Sequence, residues 1–300
     1  MDINSYRSKG GLKSEELLSL QYASPEDVLE LIFTAKELKT RARFGDVPKK
    51  LKGKNVFLIT KNSVSKSRIA FEIATRSLEA NPIALTLTGS RLDELINDPE
   101  SLKIISGYGI SSIVVDTEIS KDAEIISRAM NAPVIDFGEY PSPVSTVSAL
   151  LTVWEKRGKL NGHKAVFVGN PDSVDCSLFF GFAKCGLDVT LVCPELSDKG
   201  RDLLDSLSQF SDASFSDDID SALKNADVIF PLSHDFGADY VVTSDMISAL
   251  CPNAILLHDT PVLRGKTAES EVFDLPCSAV TDYGVNGMHA LRAAIFLLSR

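Results

Sequence analysis

Three hundred residues, 44% of them hydrophobic, suffice to bury a sizeable core in one large or two medium domains, and two are expected. A net charge of −10 with no visible basic stripe argues against duplex binding, because the chain as a whole repels phosphates. No apolar run reaches the roughly 18 residues of a membrane span and the N-terminus lacks the order of a secretory signal, so a soluble cytoplasmic protein is expected. The cysteines Cys176, Cys185, Cys193, Cys251 and Cys277 never form C-x-x-C and read as small buried hydrophobes. The histidines are far apart, so no metal site is expected.

In chain order, short β-rich runs alternate with helical patterns. The first half carries "NVFLIT" (55–60), "IALTL" (83–87), "SIVV" (112–115) and "PVID" (133–136). The segment "PSPVSTVSALLTVWEKRG" follows, with prolines at its start, Val147, Leu150, Leu151 and Trp154 at helical spacing, and Gly158 as a stop. It reads as a helix that hands the chain to a second domain. The second half carries "AVFVG" (165–169), "DVTLVC" (188–193), "DVIF" (227–230) and "AILL" (254–257), and ends in the apolar helix "NGMHALRAAIFLLSR". Continuous apolar runs separated by helices predict parallel strands covered on both faces, an α/β architecture built twice.

After "NVFLIT", the loop Lys61 to Ser65 leads into a helix whose apolar positions Ile69, Ile73 and Leu78 are expected to face a core. Unsatisfied N–H groups at a helix N-terminus attract phosphate or carboxylate. Ser63, Ser65 and Ser67 can add hydroxyl donors, and Lys66 and Arg68 add charge. The stretch reads either as an anion cradle or as a serine N-cap followed by solvated basic residues.

"VSKSRIAFE" (64–72) resembles the S-T-R-T-R-x-x-F-E motif of the aspartate and ornithine carbamoyltransferases, which holds the phosphate of carbamoyl phosphate. Further segments follow the family's order: "YGISSIVVD", "DFGEYPSPVSTVSALLTV", "GHKAVFVGNPDSVDCSLFFGFAKCGLDVTLVCP", "ILLHDTPVLRG" and "NGMHALRAAIFLL". The resemblance implies a two-domain α/β fold, each domain a parallel sheet flanked by helices, with the C-terminal helix packing back on the first domain. It implies a carbamoyl-phosphate-type, anion-binding domain over 1–142 joined by helix 285–300, and an amino-acid-type substrate domain over 143–284. It also implies a homotrimer or trimer-based assembly, small-molecule ligands, no cofactor, and a lysine loop from a neighbouring subunit within 89–104, where Ser90, Arg91 and Lys103 are candidates.

Several ligand positions depart from the family. The phosphate loop reads Val64-Ser65-Lys66-Ser67-Arg68, losing one hydroxyl and one bidentate guanidinium. The arginine that reaches the carbamoyl oxygen falls at Asp116, the histidine and glutamine of H-P-x-Q at Tyr140 and Pro143, and the arginine of N-R-x-H at Gly287. On the acceptor side, Asp172-Ser173 stands for the ornithine enzymes' N-N, Asp235-Phe236-Gly237 for S-M-G, and His258-Asp259-Thr260-Pro261 for the H-C-L-P turn. Losing two donors aimed at the reacting oxygen slows transfer by roughly 10^4.

The candidate residues are therefore Tyr140 and His258 as catalytic groups, Ser65, Lys66, Ser67 and Arg68 as anion ligands, and Asp116, Asp172, Ser173, Asp259 and Thr260 as substrate contacts. The expected function is a non-catalytic binding or regulatory paralogue that retains an anion pocket, possible partner to a catalytic sibling. The alternative is an active transferase with a rebuilt site, using carbamoyl phosphate or another phosphate-bearing donor. A dinucleotide-binding oxidoreductase is set aside because the turn "AVFVGNP" offers one glycine, Gly169, in place of G-x-G-x-x-G.

Overall fold

The computed structural model of the chain describes residues 2–299 except 62–64, 88–93, 96, 118–119, 139–140 and 234. The chain forms two compact units: residues 7–148 with 287–300, and residues 1–6 with 149–286.

The first unit opens with helix α1, Pro25–Arg43. Ser24 and Asp27 cap it reciprocally and Pro25 occupies its first position, so its start is written in the local sequence. Strand β1 (Asn55–Thr60), helix α2 (Lys66–Ser77), β2 (Asn81–Thr86), α3 (Pro99–Ser106), β3 (Ile110–Asp116), α4 (Ser120–Ala129) and β4 (Val134–Asp136) follow. The strands are parallel in the order β2-β1-β3-β4. One face of the sheet, with Phe57, Ile59, Ile113, Val115 and Val134, packs on Leu102 of α3 and Ala123 and Ile126 of α4.

Helix α2 corrects one expectation. Ile69 and Ile73 are 59% and 50% exposed, while Ser67, Phe71, Ala74 and Leu78 are buried. The core stripe therefore runs through Phe71, Ala74 and Leu78 at helical spacing, and the isoleucines lie on the opposite side of the same helix.

Helix α5, Pro143–Arg157, ends where predicted: Gly158 takes a φ of +75° and its N–H bonds to the Trp154 carbonyl at 2.8 Å. The boundary between the units falls within this helix.

The second unit comprises β5 (Lys164–Val168), α6 (Ser177–Lys184), β6 (Asp188–Val192), α7 (Asp198–Leu207), β7 (Ala213–Ser216), α8 (Ile219–Leu223), β8 (Val228–Pro231), α9 (Ser244–Leu250), β9 (Ile255–Leu256) and the start of α10 (Val280–Leu298), as far as residue 286. Its parallel sheet has the order β7-β6-β5-β8-β9. Phe167 projects into a ring cluster with Phe179, Phe182 and Phe230, while Val166 and Val168 join the aliphatic core on the opposite face. The edge strand β7 has no counterpart in the sequence reading, because "ASFS" is polar and half exposed. Helix α10 passes into the first unit, where Ser299, just beyond it, shares a hydrogen bond of 2.7 Å with Ser112 of β3. Among the described residues no helix is long and apolar enough to cross a membrane.

Candidate functional site

Open parallel sheets bind ligands at the carboxyl ends of their strands, where strand order reverses. In the first unit that reversal lies between β1 and β3, and in the second between β5 and β8. The sequence candidates among the described residues are taken unit by unit.

In the first unit, α2 starts six residues after the end of β1. Ser65 is its N-cap: the extended backbone, with φ −141° and ψ 156°, lets Oγ accept the Arg68 N–H at 3.1 Å. Ser67 is buried and Lys66 is exposed. Arg68 is half-buried; its Nη1 donates to Thr86 Oγ1 at 3.3 Å, and its Nε stands 3.5 Å from Glu72 Oε1. The guanidinium is thus tethered to the end of β2 and to the next turn of its own helix. Thr86 was not singled out in the sequence, whereas Glu72 closes the motif "VSKSRIAFE" four residues on, the spacing of a helical ion pair.

Asp116 closes β3 at 1% exposure, directly opposite Thr60 of β1, whose hydroxyl donates to Oδ2 at 3.0 Å. The substitution read from the sequence therefore places a buried acceptor at the reversal point. Beside it, Gly138 approaches so closely that a Cβ would meet the Thr117 carbonyl at 2.5 Å, and its N–H bonds to Asp136 Oδ1 at 3.0 Å. Lys61 Nζ lies 3.9 Å from the buried Asp122. Tyr140, Ser63, Ser90 and Arg91 lie outside the described residues, and Lys103 sits on α3. The position of the family's second arginine, Gly287, has only Ser148 Oγ, 4.0 Å from a Cβ built there, so packing does not demand glycine.

In the second unit, Gly169 follows β5 with φ +134°, and a Cβ would meet the Leu232 carbonyl at 2.6 Å. Glycine there allows the chain after β5 to pass against the chain after β8. Asn170 Oδ1 accepts the Asp172 N–H at 3.0 Å, and Ser173 Oγ donates to the Asn170 carbonyl at 2.6 Å and to the Ser233 carbonyl at 3.2 Å. Asp172 is exposed and Ser173 half-buried.

The "HDTP" turn follows β9. His258 is 5% exposed, with its ring edge-on to Phe273 at 5.3 Å between centroids. Its Nδ1 faces the Asp259 carbonyl, an acceptor, so Nδ1 carries the proton and Nε2 accepts from Thr267 Oγ1 at 2.9 Å. Burial holds the ring's pKa below the usual histidine value, partly offset by the Asp259 bond. Both nitrogens are thus engaged in shaping the turn. Asp259 Oδ1 accepts the Tyr283 hydroxyl at 2.6 Å, and Thr260 is half-buried beside it. Thr267 and Tyr283 were missed because 9 and 24 residues separate them from their partners, with no local pattern to mark the pairs.

Burial pushes the Cys185 thiol up to about 12 and those of Cys193 and Cys251 up to about 11, as suits inert core residues. Among the described residues no cluster of histidine, cysteine and carboxylate side chains has the makings of a metal site.

Residues 15–155 match the profile of the aspartate/ornithine carbamoyltransferase carbamoyl-P binding domain, and residues 161–298 that of the Asp/Orn binding domain. An ornithine carbamoyltransferase of Pyrococcus abyssi is 28% identical over 306 residues, covering 96% of each chain. One from Bacillus subtilis is 28% identical over 307 residues, covering 95% of this chain and 93% of the relative. The solved ornithine carbamoyltransferase of Pyrococcus furiosus superimposes with a TM-score of 0.85 at 25% identity, over 98% of this chain and 99% of that one. With both halves matched in order and the same fold throughout, the chain belongs to the aspartate/ornithine carbamoyltransferase family.

Proposed function

We propose that the protein is an active transferase that takes carbamoyl phosphate, or another phosphate-bearing donor, and an amine acceptor of amino-acid type, in a rebuilt site. The observation that carries this reading is Arg68, whose half-buried guanidinium is tethered to Thr86 and Glu72 at the first turn of α2. Held there beside the helix N-terminus, it supplies the fixed positive charge that a leaving phosphate requires. The relatives named ornithine carbamoyltransferase weigh toward activity and against the non-catalytic paralogue that the substitutions led us to expect.

In this reading the acceptor amine attacks the carbonyl carbon, the carbon–oxygen bond to phosphate breaks, and the amine proton is released. Ser65, Lys66, Ser67 and Arg68 hold the phosphate. Asp116 is an acceptor, so it suits the N–H2 of a carbamoyl group rather than its oxygen. Asp172, Ser173, Asp259 and Thr260 receive the acceptor substrate, and His258 acts by fixing the turn that carries Asp259 and Thr260. The first unit serves the donor and the second the acceptor. We place the protein in the cytoplasm as a homotrimer without a cofactor; the exposed pair Ile69 and Ile73 supports an assembly.

The non-catalytic reading keeps one observation in its favour: the buried carboxylate of Asp116 where the resemblance implies an arginine. The two separate on one assay. Protein is incubated with carbamoyl phosphate labelled at the carbamoyl carbon and a panel of amines including ornithine and aspartate. Ureido product that falls about 100-fold or more in Arg68→Ala supports the transferase. Folded protein that binds carbamoyl phosphate and forms no product with any amine supports the non-catalytic reading instead.

A further inference from the structure

Arg292 on α10 is 3% exposed and has no role in the chemistry above. Its Nη1 donates to His289 Nδ1 at 3.2 Å, its Nη2 reaches Met288 Sδ at 3.2 Å, and its Nε has no hydrogen-bond partner among the described residues. No carboxylate among the described residues stands within 4.0 Å of it. The guanidinium does not deprotonate in a protein, so the bond to His289 uses the lone pair of Nδ1 and puts that ring's proton on Nε2. Neither the imidazole nor the thioether brings negative charge. Burial pushes the Arg292 pKa down, as it does for a cation without a counter-charge.

Its orientation excludes the ordinary resolution, a long side chain reaching out to water. Ser299, whose N–H continues the last turn of α10 by bonding to the Ile295 carbonyl, meets Ser112 of β3, and Arg292 precedes it by seven residues, two helical turns, so Arg292 lies on the same side of the helix, the side toward β3. Ser112 and Asp116 alternate on one face of β3, which makes this the sheet face that also carries Thr60 and Asp116. Buried charges are ordinarily paired with an opposite charge, and among the described residues no carboxylate stands beside this one.

We propose that Arg292, with His289 beside it, is a binding site for a small oxyanion of the phosphate or carboxylate class, separate from the N-terminus of α2. The anion completes the hydrogen bonding of the guanidinium and removes the penalty of burying it alone. The same geometry makes the site costly when empty. A neutral side chain of similar length therefore stabilises the ligand-free protein while abolishing the anion's effect.

The test is thermal unfolding of the wild-type protein, Arg292→Met, Arg292→Lys and Arg68→Ala, titrated with inorganic phosphate and, separately, with acetate, at constant ionic strength held with chloride. The expected result is a saturable, phosphate- or acetate-dependent rise in Tm that persists in Arg68→Ala and weakens about tenfold or more in Arg292→Met. Ligand-free Arg292→Met should also melt above wild type. A rise confined to phosphate identifies a phosphate site, and one shared with acetate a general carboxyanion site. A saturable rise lost in Arg68→Ala and untouched in Arg292→Met leaves the α2 cradle standing and overturns this inference; the converse overturns the cradle alone. If Arg292→Met does not fold, the 15N–1H resonance of Arg292 Nε, assigned by its loss in Arg292→Lys, decides. Movement with phosphate or acetate supports the site, and a resonance indifferent to both overturns it.

Discussion

His258 illustrates how a residue's chemistry is decided by its partners. A histidine beside a turn in a substrate domain reads as a catalytic candidate, yet both its nitrogens are taken, by Thr267 and by the Asp259 carbonyl. Burial lowers its pKa from 6.5, so the unfolded chain binds the proton more tightly than the folded one. The stability it contributes is complete above pH 6.5 and is lost as pH falls through the window between that value and the lowered folded pKa. Urea unfolding of wild type and His258→Asn at about pH 7.5 and about pH 5 checks this: the loss on acidification should be smaller in the variant. Equal losses would show that another group governs the acid limb. Arg68 makes the complementary point, since its motif was legible in "VSKSRIAFE" while its tether to Thr86 depends on how β2 pairs with β1.

At the scale of elements, two glycines make opposite predictions. Gly169 combines φ +134° with a Cβ position 2.6 Å from the Leu232 carbonyl. Gly169→Ala should therefore cost at least about 2 kcal/mol, through backbone strain and through separating the chain segments that follow β5 and β8. Gly284 lies on the exposed side of α10 with nothing within 4 Å of its Cβ position. Gly284→Ala should stabilise the protein by about 0.5–1 kcal/mol, because the helix no longer pays glycine's backbone entropy. Chemical denaturation midpoints of the two variants should move in opposite directions, and a shift of the same sign in both would contradict the packing described. Helix α10 itself begins at Val280, ahead of the predicted start at 285, because Asn286 donates to Thr152 at 2.9 Å and Glu155 at 3.0 Å of α5. These bonds hold in place a segment whose two glycines weaken its intrinsic helicity.

For the whole molecule, the exposed pair Ile69 and Ile73 is the most informative departure from expectation. Four residues apart on α2, the two present one apolar strip to the outside of the first unit. The proposed homotrimer gives that strip a partner. Light scattering behind size-exclusion chromatography should report a trimer for wild type and smaller species for the double variant Ile69→Lys, Ile73→Lys, with an unchanged far-ultraviolet circular dichroism spectrum. A double variant that remains trimeric would remove α2 from the interface.

The α/β class, the parallel pairing of the apolar strands and the family resemblance were legible in the sequence alone, since those strands are continuous apolar runs and each motif is local. "NVFLIT" (55–60) coincides with β1, and Gly158 ends α5 as read. What the tertiary structure decided were the contacts between distant segments. β7 exists because β6 gives it hydrogen-bond partners, and Asp116 meets Thr60 because β1 and β3 are neighbours. That Arg292 is buried with no carboxylate beside it among the described residues became visible only in the folded chain. Periodicity reports which face of an element is apolar; only packing determines what that face meets, and so which polar group is left needing a ligand.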